Sequence, residues 1–148
     1  HEPGGAVLRR RERAQDGAAR LRTVEFFTGF SDDELERVAE LADDVRAETG
    51  ALLTEQGRVG QECFVVVEGQ ASVYVGDAFV ATVGPGTMVG EMALLEHRPR
   101  AATVIADTPM RLLAFDTKRF RTLLDEMPKA GERVNALLAA RIRANRAR

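Results

Sequence analysis

One stretch of the chain concentrates groups that can hold an anion: Gly90-Glu91-Met92-Ala93-Leu94-Leu95, a short polar gap, then Arg100-Ala101-Ala102-Thr103-Val104. Arg100 brings a permanent charge and a guanidinium fork, which can grip two oxygens of one phosphate. Gly90 lets the backbone come close. Met92–Leu95, free of β-branched residues, predicts a helical turn whose first N–H groups and positive dipole end would face the same anion. Ala93, Ala101 and Ala102 are small enough to leave room for a ligand against backbone amides. Glu91 would repel a phosphate, so it needs another partner. A sugar hydroxyl beside the phosphate suits it, because a carboxylate is a strong hydrogen-bond acceptor. Without these neighbours Glu91 and Arg100 would read as a structural ion pair; the glycine and alanines turn the reading toward a site.

Other chemistries are poorly served. A metal site of the kind found in β-rolls needs several convergent His or carboxylate ligands, and the chain has only His1 and His97. His97 falls in a polar Glu-His-Arg-Pro loop and reads as an exposed loop residue. Cys63 opens an apolar run and reads as a small buried hydrophobe. The remaining Ser, Cys and His residues assemble no nucleophilic triad. The expectation is a binding protein and not an enzyme, with no metal and no cofactor.

The elements that must position Arg100 follow from hydrophobic period. Ser31-Asp32-Asp33-Glu34 fits a capping box, with Phe30 and Leu35 as a hydrophobic staple. Leu35, Val38, Ala39 and Ala42 then keep the spacing of a core-facing helix that fades near Val45. Beyond it the period becomes that of strands, in the runs Ala51–Leu53, Cys63–Val67, Ala71–Val75, Phe79–Val83, Thr103–Ala106 and Leu112–Phe115. Glycines at 57, 60, 69, 84 and 86 punctuate them, and Gly76-Asp77 suits a two-residue hairpin turn. Such spacing favours a barrel or roll. Helices return over Asp116–Glu126, with Asp116 as N-cap, and over about Lys129–Arg146, separated by Pro128. The last carries an apolar stripe of Val134, Leu137, Leu138 and Ile142. At the other end Ala6–Thr23 predicts an exposed helix, and its Arg9, Arg10, Arg11 and Arg13, interrupted by Glu12, read as a solvated face.

The 148 residues suit a single core. A formal net charge of -2, with 30% charged and 45% hydrophobic residues, offers no broad attraction to nucleic acid or anionic lipid. No apolar run nears the ~20 residues of a membrane span. A lone cysteine excludes an internal disulfide and fits a reducing compartment, with cytoplasm as the expected location. The opening His1-Glu2-Pro3-Gly4-Gly5, without methionine, reads as a cut or processed start.

Gly-Glu-Met-Ala-Leu-Leu, then Pro-Arg-Ala-Ala-Thr-Val, resembles the phosphate-binding cassette of cyclic nucleotide-binding domains. Gln56-Gly57 and Phe64–Gly69 resemble that family's preceding strand signature. The resemblance covers about 26–146, and the family includes catabolite activator proteins, regulatory subunits of cAMP-dependent kinase and cyclic-nucleotide-gated channels. It implies a mainly β fold with flanking α, a jelly-roll-like β-roll with an N-terminal helical segment and two C-terminal helices. The domain would occupy 24–148 and an N-terminal helical extension 1–23. It also implies that Arg100 holds a cyclic phosphate, that Glu91 holds the ribose 2'-hydroxyl, and that Gly90, Met92, Ala93 and Ala101 add backbone donors or close packing, with Ala102 near the ligand. Alanine at 101, where cGMP-selective members often carry threonine, leans toward cAMP over cGMP. Val73, Val83, Val89 and Met92 fit equally an apolar wall around the base and the roll's own core. The family's final helix closes over the base, a task that falls here to Leu137, Leu138, Arg141 or Ile142.

The implied role is a non-catalytic sensor whose C-terminal helices move on binding and act on an effector or a second copy. Two alternatives stand beside it. One is the sensor part of a cAMP-responsive transcription factor, whose DNA-binding module would lie beyond Ile142. The other is a degenerate cassette serving protein interaction.

Overall fold

In a computed structural model the chain builds strands β1 (Leu8–Arg11), β2 (Asp43–Ala47), β3 (Leu52–Thr54), β4 (Glu62–Glu68), β5 (Ala71–Val75), β6 (Ala78–Val83), β7 (Met88–Val89), β8 (Thr103–Ala106) and β9 (Met110–Asp116). Its helices are α1 (Gly17–Leu21), α2 (Asp32–Leu41), α3 (Glu91–Glu96), α4 (Thr117–Glu126) and α5 (Pro128–Arg146), with a 3-10 turn over Glu25–Phe27. The structure describes residues 8–11 and 17–146, and side chains within 18–136 and 139–140.

The strands form a five-stranded sheet ordered β1-β2-β9-β4-β7 and a four-stranded sheet ordered β3-β8-β5-β6, and every pairing is antiparallel. β4 and β9 are continuous apolar runs because both of their faces are buried. Phe64, Val66, Leu112 and Ala114 point into the roll, where they meet Leu53, Ala71, Val89 and Val104. Cys63, Val65, Val67, Leu113 and Phe115 point the other way, into a second core roofed by Phe27, Val38, Phe120, Leu123 and Val134 of the helical segments. A period of two thus serves two cores at once.

Most expected elements appear within a residue or two of their predicted places. The capping box at Ser31 is complete, with the Glu34 N–H donating to the Ser31 hydroxyl and the Ser31 N–H to the Glu34 carboxylate. Asp116 caps α4 by accepting from the Arg119 N–H at 2.7 Å. β5 and β6 are joined by Gly76-Asp77 alone.

Two readings change. The N-terminal segment is not one helix: Leu8–Arg11 pairs with Ala47–Asp44 as an edge strand, and among the described residues of this segment Gly17–Leu21 alone is helical. Backbone pairing to an open sheet edge outweighs the helical propensity of its arginines and alanines. Nor does the first long helix fade at Val45; α2 ends at Leu41 and Asp43–Ala47 is a strand. Its charged sequence hides that, because Asp44 is buried against Arg111 of β9, whose Nε and Nη2 donate to the carboxylate at 3.3 and 3.2 Å. Paired charges take the place of apolar side chains there.

Candidate functional site

The site forms where the β-pattern breaks between β7 and β8. Gly90 caps α3 in the left-handed region, with φ of 86°, and Thr103 begins β8 after a loop that carries Arg100. That loop is tied to the segment joining β3 to β4: the Arg100 N–H donates to the Arg58 carbonyl at 2.7 Å and the Gly57 N–H to the Arg100 carbonyl at 2.9 Å. An isolated bridge between Val59 and Pro99 completes the attachment. The Arg100 backbone is therefore fixed on both sides before any ligand arrives.

Its side chain is half-buried. Nη1 donates to the Gly90 carbonyl at 3.1 Å and Nη2 to the Glu62 carbonyl at 2.6 Å. A guanidinium has five N–H donors, so these two bonds hold the fork without exhausting it. Burial pushes the Arg100 guanidinium below its ordinary value, and the electrostatic influence of Cys63, Glu62 and Glu91 opposes the shift. Even so an arginine keeps its charge in a protein, and partial removal from water makes that charge act more strongly on an anion.

Beside Arg100 opens a cavity of about 250 Å³ lined by Thr54, Val73, Val83, Thr87, Met88, Val89, Gly90, Met92, Ala93, Arg100, Ala101, Ala102 and Val104. Every sequence-predicted site residue lines it except Glu91. Glu91 is 1% exposed, and the Cys63 thiol is pushed up first by burial and then by the charge of Glu91. Val73 and Val83 are partly buried, pack against the roll's core and also line the cavity.

Sequence reasoning missed Thr54, Thr87, Met88 and Val104. Thr54 and Val104 are cross-strand partners in β3 and β8, and the Thr54 hydroxyl donates to the Ala102 carbonyl at 3.0 Å, a link visible only once the register is known. Leu137, Leu138, Arg141 and Ile142, the candidate lid residues, lie outside the described side chains. The described start of α5 is fastened to the 3-10 turn and to the segment that opens α2. Arg133 donates to the Phe26 and Thr28 carbonyls, and Lys129 to the Gly29 carbonyl and the Glu34 carboxylate, both at 3.0 Å.

Cys63 is buried. His97 caps the end of α3 in the left-handed region and its Nε2 lies 3.1 Å from an Arg121 nitrogen. Among the described residues no group of three or more His, Cys, Asp or Glu is placed to hold a metal ion. Nor is any described helix long and apolar enough to cross a membrane.

A β-roll with a short helix and an arginine beside an apolar cavity defines a class of small-molecule-binding regulatory domains. Residues 44–127 match the family model for the cyclic nucleotide-binding domain, and the chain belongs to that family. Among solved structures it is similar to the Thermus thermophilus catabolite activator protein, at 27% identity and a TM-score of 0.75, over 82% of this chain and 60% of that one. It is also similar to a cAMP-binding acyltransferase from Mycobacterium smegmatis, at 33% identity and a TM-score of 0.70, over 86% of this chain and 41% of that one. The regulatory domain of Toxoplasma gondii PKA, crystallised with cAMP, follows at 26% and 0.70, over 86% and 49%. The chain thus spans about 60% or less of the length of these proteins.

Proposed function

We propose that this domain binds cAMP in the cavity beside Arg100, as a non-catalytic sensor. The observation that carries the proposal is the state of Arg100: a half-buried guanidinium fixed by two backbone carbonyls at the edge of a cavity whose walls are small or apolar. The fork would take the cyclic phosphate, with Gly90, Met92, Ala93, Ala101 and Ala102 packed against it, and Val73, Val83 and Val89 around the base. Glu91 would accept from the ribose 2'-hydroxyl, which requires α3 to shift enough to open its carboxylate to the cavity. Of the similar proteins, one is a cAMP-binding acyltransferase and another was crystallised with cAMP, and Ala101 supplies no hydroxyl of the sort that favours guanine, so cAMP stands ahead of cGMP. Roughly one hydrogen bond, about 0.5–1.5 kcal/mol, separates the two on that ground.

The output would be mechanical. Binding shifts a conformational equilibrium only if one state holds the ligand better, and α5, fastened at its start to the 3-10 turn, has such a second state available if its remainder closes over the base. A second copy, or an effector joined to α5 or to the N-terminal segment, would read the change. The likeness to the Thermus activator supports the sensor arm of a transcription factor as a second reading, and the likeness to the acyltransferase supports a regulatory segment of an enzyme; in either the domain itself binds and does not catalyse. A reduced Cys63 suits the cytoplasm.

The test is calorimetric titration of nucleotide-free protein with cAMP, cGMP and 5'-AMP. Micromolar or tighter binding of cAMP, weakened roughly thirty-fold to a few thousand-fold by Arg100→Ala, is expected from the ~2–5 kcal/mol cost of deleting one member of a desolvated charge pair. No binding of either cyclic nucleotide would sink the reading and leave a protein-interaction role for the cassette.

A further inference from the structure

Gly60 enters the sequence reading only as a turn residue between β3 and β4. Its backbone conformation is one that any L residue adopts, since it is not among the glycines of positive φ. What excludes a side chain is space. A Cβ at Gly60 would stand 2.7 Å from both Cζ and Nε of Arg100 and 2.8 Å from the Ala93 Cβ, far inside the ~3.5–4.0 Å at which such atoms pack. Gly90 bounds the guanidinium on the other side: a Cβ there would collide with Nη1 and lie 3.2 Å from Cζ. The guanidinium thus occupies a slot between two bare α-carbons, with the Gly90 and Glu62 carbonyls as its ends.

Neighbouring Gly57 is the opposite case. It has φ of 85° and nothing within 4 Å of a built Cβ, so its glycine serves the backbone, whereas that at 60 serves the arginine. Nor can the arginine yield by moving its main chain, because Arg58 and Gly57 hold it on both sides.

We propose that Gly60 is a positioning residue for the anionic ligand: its missing side chain is the space that sets the direction of the Arg100 fork. The proposal rests on the reading that Arg100 grips the cyclic phosphate. Any side chain at 60 drives the guanidinium toward the cavity and out of line with the two phosphate oxygens. One of the two charge-assisted bonds is then lost, which weakens binding about tenfold to a hundredfold.

The experiment titrates cAMP into wild type, Gly76→Ala, Gly60→Ala, Arg100→Lys and the Gly60→Ala/Arg100→Lys double variant, with a thermal melt of each. A lysine carries a slim point charge and has no planar fork to collide, whereas the contact with the Ala93 Cβ is common to both backgrounds. Gly60→Ala should therefore weaken binding tenfold or more in the wild-type background and several-fold less in the Arg100→Lys background. Gly76→Ala, at the positive-φ glycine of the β5–β6 turn where a Cβ meets nothing within 4 Å, should lower the melting temperature with little change in affinity. Unchanged binding by Gly60→Ala, or an equal loss in both backgrounds, would overturn the proposal while leaving the cAMP reading intact. A wild type that binds no cyclic nucleotide would overturn both. If Gly60→Ala fails to fold, Gly60→Ala/Ala93→Gly decides against Ala93→Gly alone: binding tenfold or more weaker supports the slot, and equal binding refutes it.

Discussion

At the residue scale the grouping of the proposed site is legible because its residues are close in sequence. Gly90, Met92, Ala93, Arg100, Ala101 and Ala102 lie within one short stretch of chain and line one cavity, and a fork, a bare backbone and small neighbours suggest an anion site without any knowledge of the fold. Glu91 shows the limit of that reading. Its type and place suggest a ligand-facing acceptor, yet Glu91 is buried and does not line the cavity, and its charge acts on Arg100 and Cys63. The two roles separate by experiment. If Glu91 takes the ribose hydroxyl, 2'-deoxy-cAMP binds wild type roughly ten- to a hundredfold more weakly than cAMP, the worth of a hydrogen bond to a charged group. Glu91→Ala then loses that same increment for cAMP and stops distinguishing the two ligands in competitive titration. A variant that still separates ribose from deoxyribose as well as wild type does would reduce Glu91 to a countercharge for the arginine. Thr54 and Val104 were invisible because they reach the cavity only through a strand register.

Elements that announce themselves by a cap are legible at their starts, and those whose pattern is short or charged are not. α2 and α4 each begin at a side-chain cap, whereas β7 has two residues and β2 hides a buried ion pair. The capping box of α2 yields a prediction at this scale. Ser31→Ala removes one reciprocal bond and should cost about 1 kcal/mol, seen as a fall of roughly 2–4 °C in the melting temperature of a domain this size, with cAMP affinity unaltered. Its partner Glu34 has a pH signature of its own. The Ser31 backbone N–H, followed by Lys129, holds the Glu34 carboxyl below its ordinary 4.5. A depressed folded-state value means that the ionised form favours the native state: the contribution is full above pH 4.5 and fades as the pH falls through the depressed folded value. The melting temperatures of wild type and Glu34→Gln should therefore differ at pH 7 and draw together in acid. A gap that stayed constant down to pH 3 would show that the charge of Glu34 contributes nothing.

For the whole molecule, the question is what joins the N-terminal edge of the five-stranded sheet to its centre, since β1 and β2 lie outside β9 in the strand order. β2 pairs with β9 along Asp43–Ala47 and contributes Val45 and Ala47 to the roll core, and the Asp44–Arg111 pair supplies a further attachment on the opposite face. Both side chains are at most 5% exposed, so the pair is desolvated and its worth depends on both partners being present. Asp44→Ala takes a carboxylate away from the buried Arg111 guanidinium. The expected cost is roughly 3–5 kcal/mol, a large share of the ~5–15 kcal/mol that stabilises a typical domain. Replacing both members together, as Asp44→Leu with Arg111→Met, removes the guanidinium along with its partner and should recover most of that loss. Urea unfolding distinguishes the cases: a midpoint far lower for Asp44→Ala than for the double variant shows that pairing, and not the charges as such, holds β2 in place. Because this rung lies outside the cassette, cAMP affinity measured on folded protein should be the same for the double variant and wild type, so that the roll's closure and its ligand site vary independently.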